Sequence, residues 1–359
     1  MMVRRSSAPA ETLSDQVATR LSRGRTREAI EADPRDKLGY STGKVITTGS
    51  TLLDLAISGG IYPEGGIPPG IMVEIFGPSG CGKTVLLCEI AGGVERQHGE
   101  IMFRDPEGRL NNQFAALFGF HVENADYSRP DTVPELFEPI RNWNPRANGI
   151  NGVFADSLAA LSTKMEMEGD DKYGTRRAKE FSEECRKTCR VLANRGFLMV
   201  CSNQVRQNID AGPFEEKYKS PGGEAVGFYA SLRLRCHSPV KTPREISVGG
   251  KKHKRTVGVH TKIEVYKSSI WEPYHTAPVH ILYDYGIDDI RANLEFVKSV
   301  VGGTFYMLDE TSRLDAGLER SIKMVEEGDL DLRVKRYTIQ LWHELEEKFK
   351  VSRLVKRRE

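Results

Sequence analysis

Apolar and polar positions change rhythm three times along the chain. Residues 1–45 are polar, with one stripe at Leu13, Val17 and Leu21, a spacing that sets all three on one face of a helix. From Ile46 to about Gly286, short unbroken apolar runs alternate with helical patterns. Strands are predicted at 71–77, 100–105, 152–156, 197–203, 231–236, 261–267 and 279–285, and helices starting at Lys83, Asn112, Val133 and about Thr175. Unbroken apolar strands joined by helices imply a parallel sheet covered on both faces, because parallel neighbours need a crossover. The last strands have no helix between them and predict an antiparallel extension. Beyond Gly286 the pattern is helical and charged (LEFVKSVV, LERSIKMVEE, RYTIQLWHELEEKF), with a break at Gly302-Gly303. The expected fold class is α/β, with a mostly parallel central sheet and an antiparallel extension. Three segments follow: an N-terminal helical arm over 1–45, a core over 46–286 and a small α-rich C-terminal domain over 287–359.

Charge changes this picture only locally. The chain has 52 Lys and Arg against 50 Asp and Glu, a formal charge of +2, so total charge selects neither nucleic acid nor membrane. Residues 241–255 nevertheless hold six basic residues and one acidic, around a Gly249-Gly250 pair that reads as a hairpin tip, and KFKVSRLVKRRE at the C-terminus has the same count. Each reads either as a solubilising surface or as a grip on duplex DNA. Six cysteines without a C-x-x-C pair argue against a zinc site or disulfide framework and for a reducing compartment. No window approaches 18 apolar residues and the N-terminal stretch lacks an apolar leader segment, so the expectation is a cytoplasmic or nucleoid-associated protein with no membrane partner.

Chemistry enters at GPSGCGKT. Gly77, Pro78, Ser79, Gly80, Cys81, Gly82, Lys83 and Thr84 match the phosphate-loop pattern between an apolar strand and a helix that continues with Val85. Main-chain N–H groups and the helix N-terminus favour phosphate, Lys83 reaches the β and γ phosphates, and Thr84 can ligate Mg²⁺. Asp156 ends the apolar strand of GVFADS, where a carboxylate either helps hold that ion or caps a helix. Hydrolysis also needs a group to polarise water. Asp105 and Glu107 follow the second strand, and either is a candidate or a solvated loop carboxylate. Asn203 and Gln204 follow a later strand, and either amide can detect a terminal phosphate or close a turn.

In order, TTGSTLLDLAISGGI, GPSGCGKT, RDPEGRLNNQFAALFGF, VFADSLAAL, EMEG, SNQVR and GGEAVGFYASLRLR resemble the bacterial RecA recombinases. That resemblance covers about Ile46 to Gly286 and implies a RecA-like P-loop ATPase core using ATP and Mg²⁺. It assigns Glu107 as the catalytic glutamate, Gln204 as the γ-phosphate sensor, Thr84 and Asp156 to the magnesium site, and Asn111 and Phe114 to the adenine. It also implies two DNA-binding loops, at 167–179 and 207–224. Candidate DNA contacts are Arg176, Arg177, Lys179, Arg186, Arg206, Phe214, Gly222 and Gly223. Phe228, at the start of a strand, is expected against the neighbouring subunit of a filament. Lys267 would reach that neighbour's ATP, whereas Ser269 stands where the family usually places a second lysine. The basic tail is a further departure, since family members commonly end acidic.

The function implied is a DNA-dependent ATPase that forms helical filaments on single-stranded DNA and catalyses homologous pairing and strand exchange with duplex DNA. A RecA-core ring helicase and a nonenzymatic recombination mediator that binds ATP and single-stranded DNA are the alternatives.

Overall fold

All six residues of the strand Met72–Gly77 (β1) are buried, as expected for a parallel strand covered on both faces. The computed structural model describes residues 43–162, 175–204, 206–207, 218–219 and 225–353. The predicted arm up to residue 42, Phe214, Gly222, Gly223 and the last residues of the basic tail lie outside the described residues, as do the side chains of Arg176, Arg177 and Arg206.

Five strands extend the parallel sheet around β1: β2 (Ile101–Arg104), β3 (Asp126–Ser128), β4 (Gly152–Ala155), β5 (Leu198–Gln204) and β8 (Leu232–Cys236). Among the described residues, the two-residue strands β6 (Arg206–Gln207) and β7 (Tyr218–Lys219) pair only with each other. The antiparallel side consists of β9 (Val240–Val248), β10 (Lys251–Ser268), β11 (Thr276–Leu282) and β12 (Gly286–Ile287). The order is β12-β11-β10-β8-β1-β5-β4-β2-β3, with β9 paired to β10. The mostly parallel α/β core with an antiparallel extension is thus the observed architecture. Its register sets Gly77, the first residue of the phosphate loop, opposite Gln204.

Helix α1 (Thr51–Ser58) precedes β1, and the crossovers between parallel strands hold α2 (Lys83–Arg96), α3 (Asn112–Ala116), α4 (Val133–Asn142), α5 (Thr175–Arg195) and α6 (Ala225–Tyr229). Phe137 of α4, Phe181 and Leu192 of α5, Met199 and Cys201 of β5 and Val226 of α6 share one apolar core. After the sheet come α7 (Asp289–Val301), α8 (Leu318–Glu327) and α9 (Asp331–Phe349), joined by Leu294, Leu308, Ile322, Val325 and Val334. Asp289 ties α7 to α1: its carboxylate accepts from the Thr51 amide at 2.7 Å and the Thr51 hydroxyl at 2.6 Å.

Three features differ from the sequence reading. β3 is a three-residue edge strand, Asp-Tyr-Ser, too short and polar to leave an apolar signal. Phe228 does not begin a strand; it lies in α6, and the strand starts at Leu232. Burial of Val226 and Ala230, four residues apart on one helical face, outweighs the strand propensity of the aromatics. Lys179 belongs to α5 rather than to a loop.

One polar group is buried at the centre of the sheet. Glu74 of β1, fully buried, pairs with Arg233 of β8 at 2.6 Å and accepts from the Asn203 amide of β5 at 2.9 Å. Arg233 also lies over the Phe76 ring at 4.5 Å, so the charge pair is satisfied in place.

Candidate functional site

The phosphate loop, Asp105, Glu107 and Asp156 lie at the C-terminal ends of parallel strands, and Gln204, expected just after a strand, is the last residue of β5; this is the edge where open α/β sheets bind ligands. Gly82 enters α2 with φ +97°, and a Cβ there would lie 2.4 Å from Ile281 Cδ1 of β11. Glycine is therefore required by backbone conformation, whereas the close Ile281 methyl is the end of a side chain that can turn aside. Ser79 and Gly80 are exposed and Pro78 is half-buried, whereas the Cys81 and Val85 side chains are buried. Only the main chain of Cys81 is thus offered to a ligand. The Lys83 ammonium donates to the carbonyls of Gly77 at 3.1 Å and Pro78 at 2.8 Å, folded back along the loop.

Asp156 faces Thr84. The Thr84 hydroxyl donates to Asp156 Oδ2 at 2.6 Å, and the Ser202 hydroxyl donates to Oδ1. Burial pushes the Asp156 pKa up despite these two donors, and the negative charges of Glu107 and Asp105 add to the rise. Thr84, Asp156 and Ser202 are hard oxygen donors, which fits a magnesium ion that takes few protein ligands and is shared with phosphates. Ser202 carried no sequence signal beyond its place near the end of an apolar strand.

The two candidate carboxylates separate clearly. Asp105 is buried and accepts from the Leu110 amide and the Tyr127 hydroxyl, each at 2.9 Å, so it holds the turn. Glu107 accepts from the buried Ser157 hydroxyl at 2.7 Å and pairs with Arg109 at 3.0 Å. Its neighbour Ser157 adjoins Asp156, which brings Glu107 to the phosphate-loop side of the sheet edge. The two amides separate as well: Asn203 is buried on Glu74, and Gln204 is exposed.

From Thr84 a cleft of about 510 Å³ runs along Arg109, Leu110, Asn111, Gln113, Phe114 and Leu117. Asn111 caps α3, its side-chain oxygen accepting from the Phe114 amide at 3.1 Å. Half-buried Phe114 stands edge-on to Phe118, ring centroids 4.9 Å apart. The cleft therefore joins the end of the phosphate loop at Thr84 to an aromatic end at Phe114.

On the other side of β1, Phe228 is 74% exposed. The Lys267 ammonium donates to the carbonyls of Gly227 at 2.9 Å and Phe228 at 2.8 Å, holding the last turn of α6 as a cation at a helix C-terminus does. Partial burial, together with the Arg233 charge, lowers the Lys267 pKa. Ser269, exposed, gives its amide to the Ser231 carbonyl at 2.8 Å. On α5, Lys179 and Arg186 are exposed seven residues apart on one face, and Arg176 and Arg177 occupy the first turn. Arg206 is in β6, at the foot of the segment that β7 closes.

Comparison with known proteins bears on the same region. The family model described as the RecA N-terminal domain matches residues 36–288. The chain is 33% identical to protein RecA of Thermus thermophilus over 289 residues, 79% of this chain and 81% of the relative. It is 32% identical to protein RecA of Bacillus subtilis over 303 residues, 81% and 82% of the two chains. Against protein RecA of Brevibacillus brevis the identity is 31% over 317 residues, 84% and 85%. Matched over this extent, and carrying the phosphate loop on a mostly parallel sheet, the chain belongs to the RecA family.

Proposed function

We propose that the chain is a DNA-dependent ATPase that forms helical filaments on single-stranded DNA and catalyses homologous pairing and strand exchange in recombination and repair. The observation that carries this reading is the convergence of Thr84, Asp156 and Glu107 at one end of a cleft whose other end is Phe114. ATP would lie along it, with its phosphates on the loop amides and Lys83 and its adenine at Asn111 and Phe114. Glu107 orients the attacking water and accepts its proton as the bond to the γ-phosphorus forms and ADP leaves. Ser157 and Arg109 hold that carboxylate in place. Thr84 and Asp156 would hold Mg²⁺, which when bound offsets phosphate charge. Gln204 senses the γ-phosphate at the root of the segment that carries Arg206, Phe214, Gly222 and Gly223.

Arg176, Arg177, Lys179, Arg186 and Arg206 contact DNA phosphates, and Phe228 packs against the next copy. Base pairing itself reads the sequence, so binding has little base preference and strong salt dependence. Such a protein works in the cytoplasm on nucleoid DNA. Among the described residues no helix is long and apolar enough to cross a membrane.

D-loop formation and electron microscopy test the reading with the parent, Lys83→Ala and Glu107→Gln. The parent forms D-loops and helical filaments, Lys83→Ala forms neither, and Glu107→Gln assembles with ATP but does not turn it over. Closed rings would instead identify a ring motor. DNA binding without hydrolysis by the parent would identify a mediator.

A further inference from the structure

The longest hairpin of the fold lies outside the nucleotide site. β9 continues in the direction of β8 along the same partner, β10, and so passes beyond the sheet edge that carries the phosphate loop. Pairing of β10 with β11 stops at Gly258, and a bulge lies between Thr256 and Gly258. Past that point two strands run alone to Gly249 and Gly250, whose φ values of +57° and +75° close a two-residue turn. Seven residues of β10 beyond Gly258 give the ribbon a reach of about 20 Å. Ile246 and Val248, 52% and 60% exposed, favour the strand conformation without burying anything.

Both faces of the ribbon are basic. Residues opposite each other in an antiparallel pair share a face. Arg244 with Arg255, Ile246 with His253 and Val248 with Lys251 form one face, while Glu245 with Lys254 and Ser247 with Lys252 form the other. Glu245 is the one acidic residue over 241–255, and it pairs with Lys252 at 2.9 Å. Charged side chains, lysine above all, protect an open strand edge; five lysines and arginines spread over both faces of so short a ribbon exceed that need.

We propose that this ribbon docks duplex DNA by entering a groove, with its two basic faces against the two phosphate walls. A two-stranded ribbon fits the major groove, about 12 Å wide. Residues 240–257 contain no Phe, Tyr or Trp, so the ribbon lacks the stacking surfaces that hold unpaired bases, and its chemistry favours a duplex over a single strand. The choice of nucleic acid rests on the proposed DNA-pairing function; the ribbon would supply the duplex partner from the same edge as the ATP cleft.

The test is fluorescence anisotropy of the full chain without nucleotide, on a labelled duplex and a labelled single strand over a salt series. Lys251, Lys252, Lys254 and Arg255 are changed together to Glu and, in a second variant, to Gln. Duplex affinity should fall about 100-fold for the Glu variant and about 10-fold for the Gln variant, with the salt slope reduced by about 3 to 4. Single-strand affinity and single-strand-stimulated ATP hydrolysis should stay within about twofold, showing that both variants are folded. Unchanged duplex affinity and salt slope overturn the proposal, as does an equal loss on duplex and single strand. Unchanged duplex binding with weakened self-assembly also overturns it and makes the ribbon a contact between copies. A parent that binds duplex through the ribbon but neither hydrolyses ATP nor binds single strands would sink the proposed function and leave this inference standing.

Discussion

Replacing Ser157 with alanine removes one of the two contacts that hold Glu107 and leaves its carboxylate in place. The lost bond, 2.7 Å from a buried hydroxyl to a charged acceptor, belongs to a class worth about 1.5–3 kcal/mol. Arg109 remains on the other oxygen at 3.0 Å, but its side chain is 79% exposed, and such pairs contribute about 0–1 kcal/mol. Most of the positioning therefore resides in Ser157. At about 1.4 kcal/mol per tenfold, Ser157→Ala should lower kcat for DNA-stimulated ATP hydrolysis by about 10- to 100-fold. ATP affinity should hold, because Ser157 does not line the cleft. Arg109→Ala should change kcat less than about 5-fold. Glu107→Gln should cost much less in the Ser157→Ala background than in the parent, since both act through one carboxylate. The assay is steady-state phosphate release at saturating single-stranded DNA, with ATP binding measured separately. Equal kcat for Ser157→Ala and parent, or additive losses with Glu107→Gln, would refute the reasoning.

Other substitutions probe different parts of the molecule. Phe228→Ala should abolish filament formation in light scattering while changing unfolding free energy by no more than about 0.5 kcal/mol, because the ring is exposed; an equal loss of stability would return Phe228 to a folding role. Ser269→Lys should raise DNA-dependent ATP turnover several-fold by adding a charge two residues from Lys267, and unchanged turnover counts against that site. Glu89, its pKa raised to about 7 from 4.5 by burial and by the Asp289 and Asp54 charges, binds its proton more tightly folded than unfolded. Its contribution is thus full below about pH 4.5 and lost as pH rises through about 7. Glu89→Gln should gain up to about 3 kcal/mol on the parent across that window in chemical denaturation; parallel pH profiles would contradict the shift.

The alternation of apolar strands and helices made most of the core legible, down to helix starts at Lys83, Asn112, Val133 and Thr175. What failed had physical causes. Asp126–Ser128 pairs on one edge only and needs no apolar face. Val226, Phe228 and Tyr229 have strand-forming side chains, yet the segment turns helical because Val226 and Ala230 face the core and Lys267 holds its last carbonyls. In the site, the phosphate loop, Asp156 and both carboxylate candidates were visible as residue types at strand ends. Residue types alone left Glu107 and Asp105 open, as they did Asn203 and Gln204; the resemblance to the RecA recombinases assigned Glu107 and Gln204, and the structure adds the burial and partners that set each pair apart. Ser157 and Ser202 were hidden because a serine near a strand end is common and only its acceptor distinguishes it.

The pairing of Gly77 with Gln204 carries one more implication. The phosphate loop and the segment that starts at Arg206 grow from the same rung of the sheet, on strands about 4.8 Å apart. A shift of the loop backbone as phosphates arrive or leave therefore meets the stem of that segment after a single hydrogen-bonded step. The two share one anchor, the pairing of the adjacent strands β1 and β5.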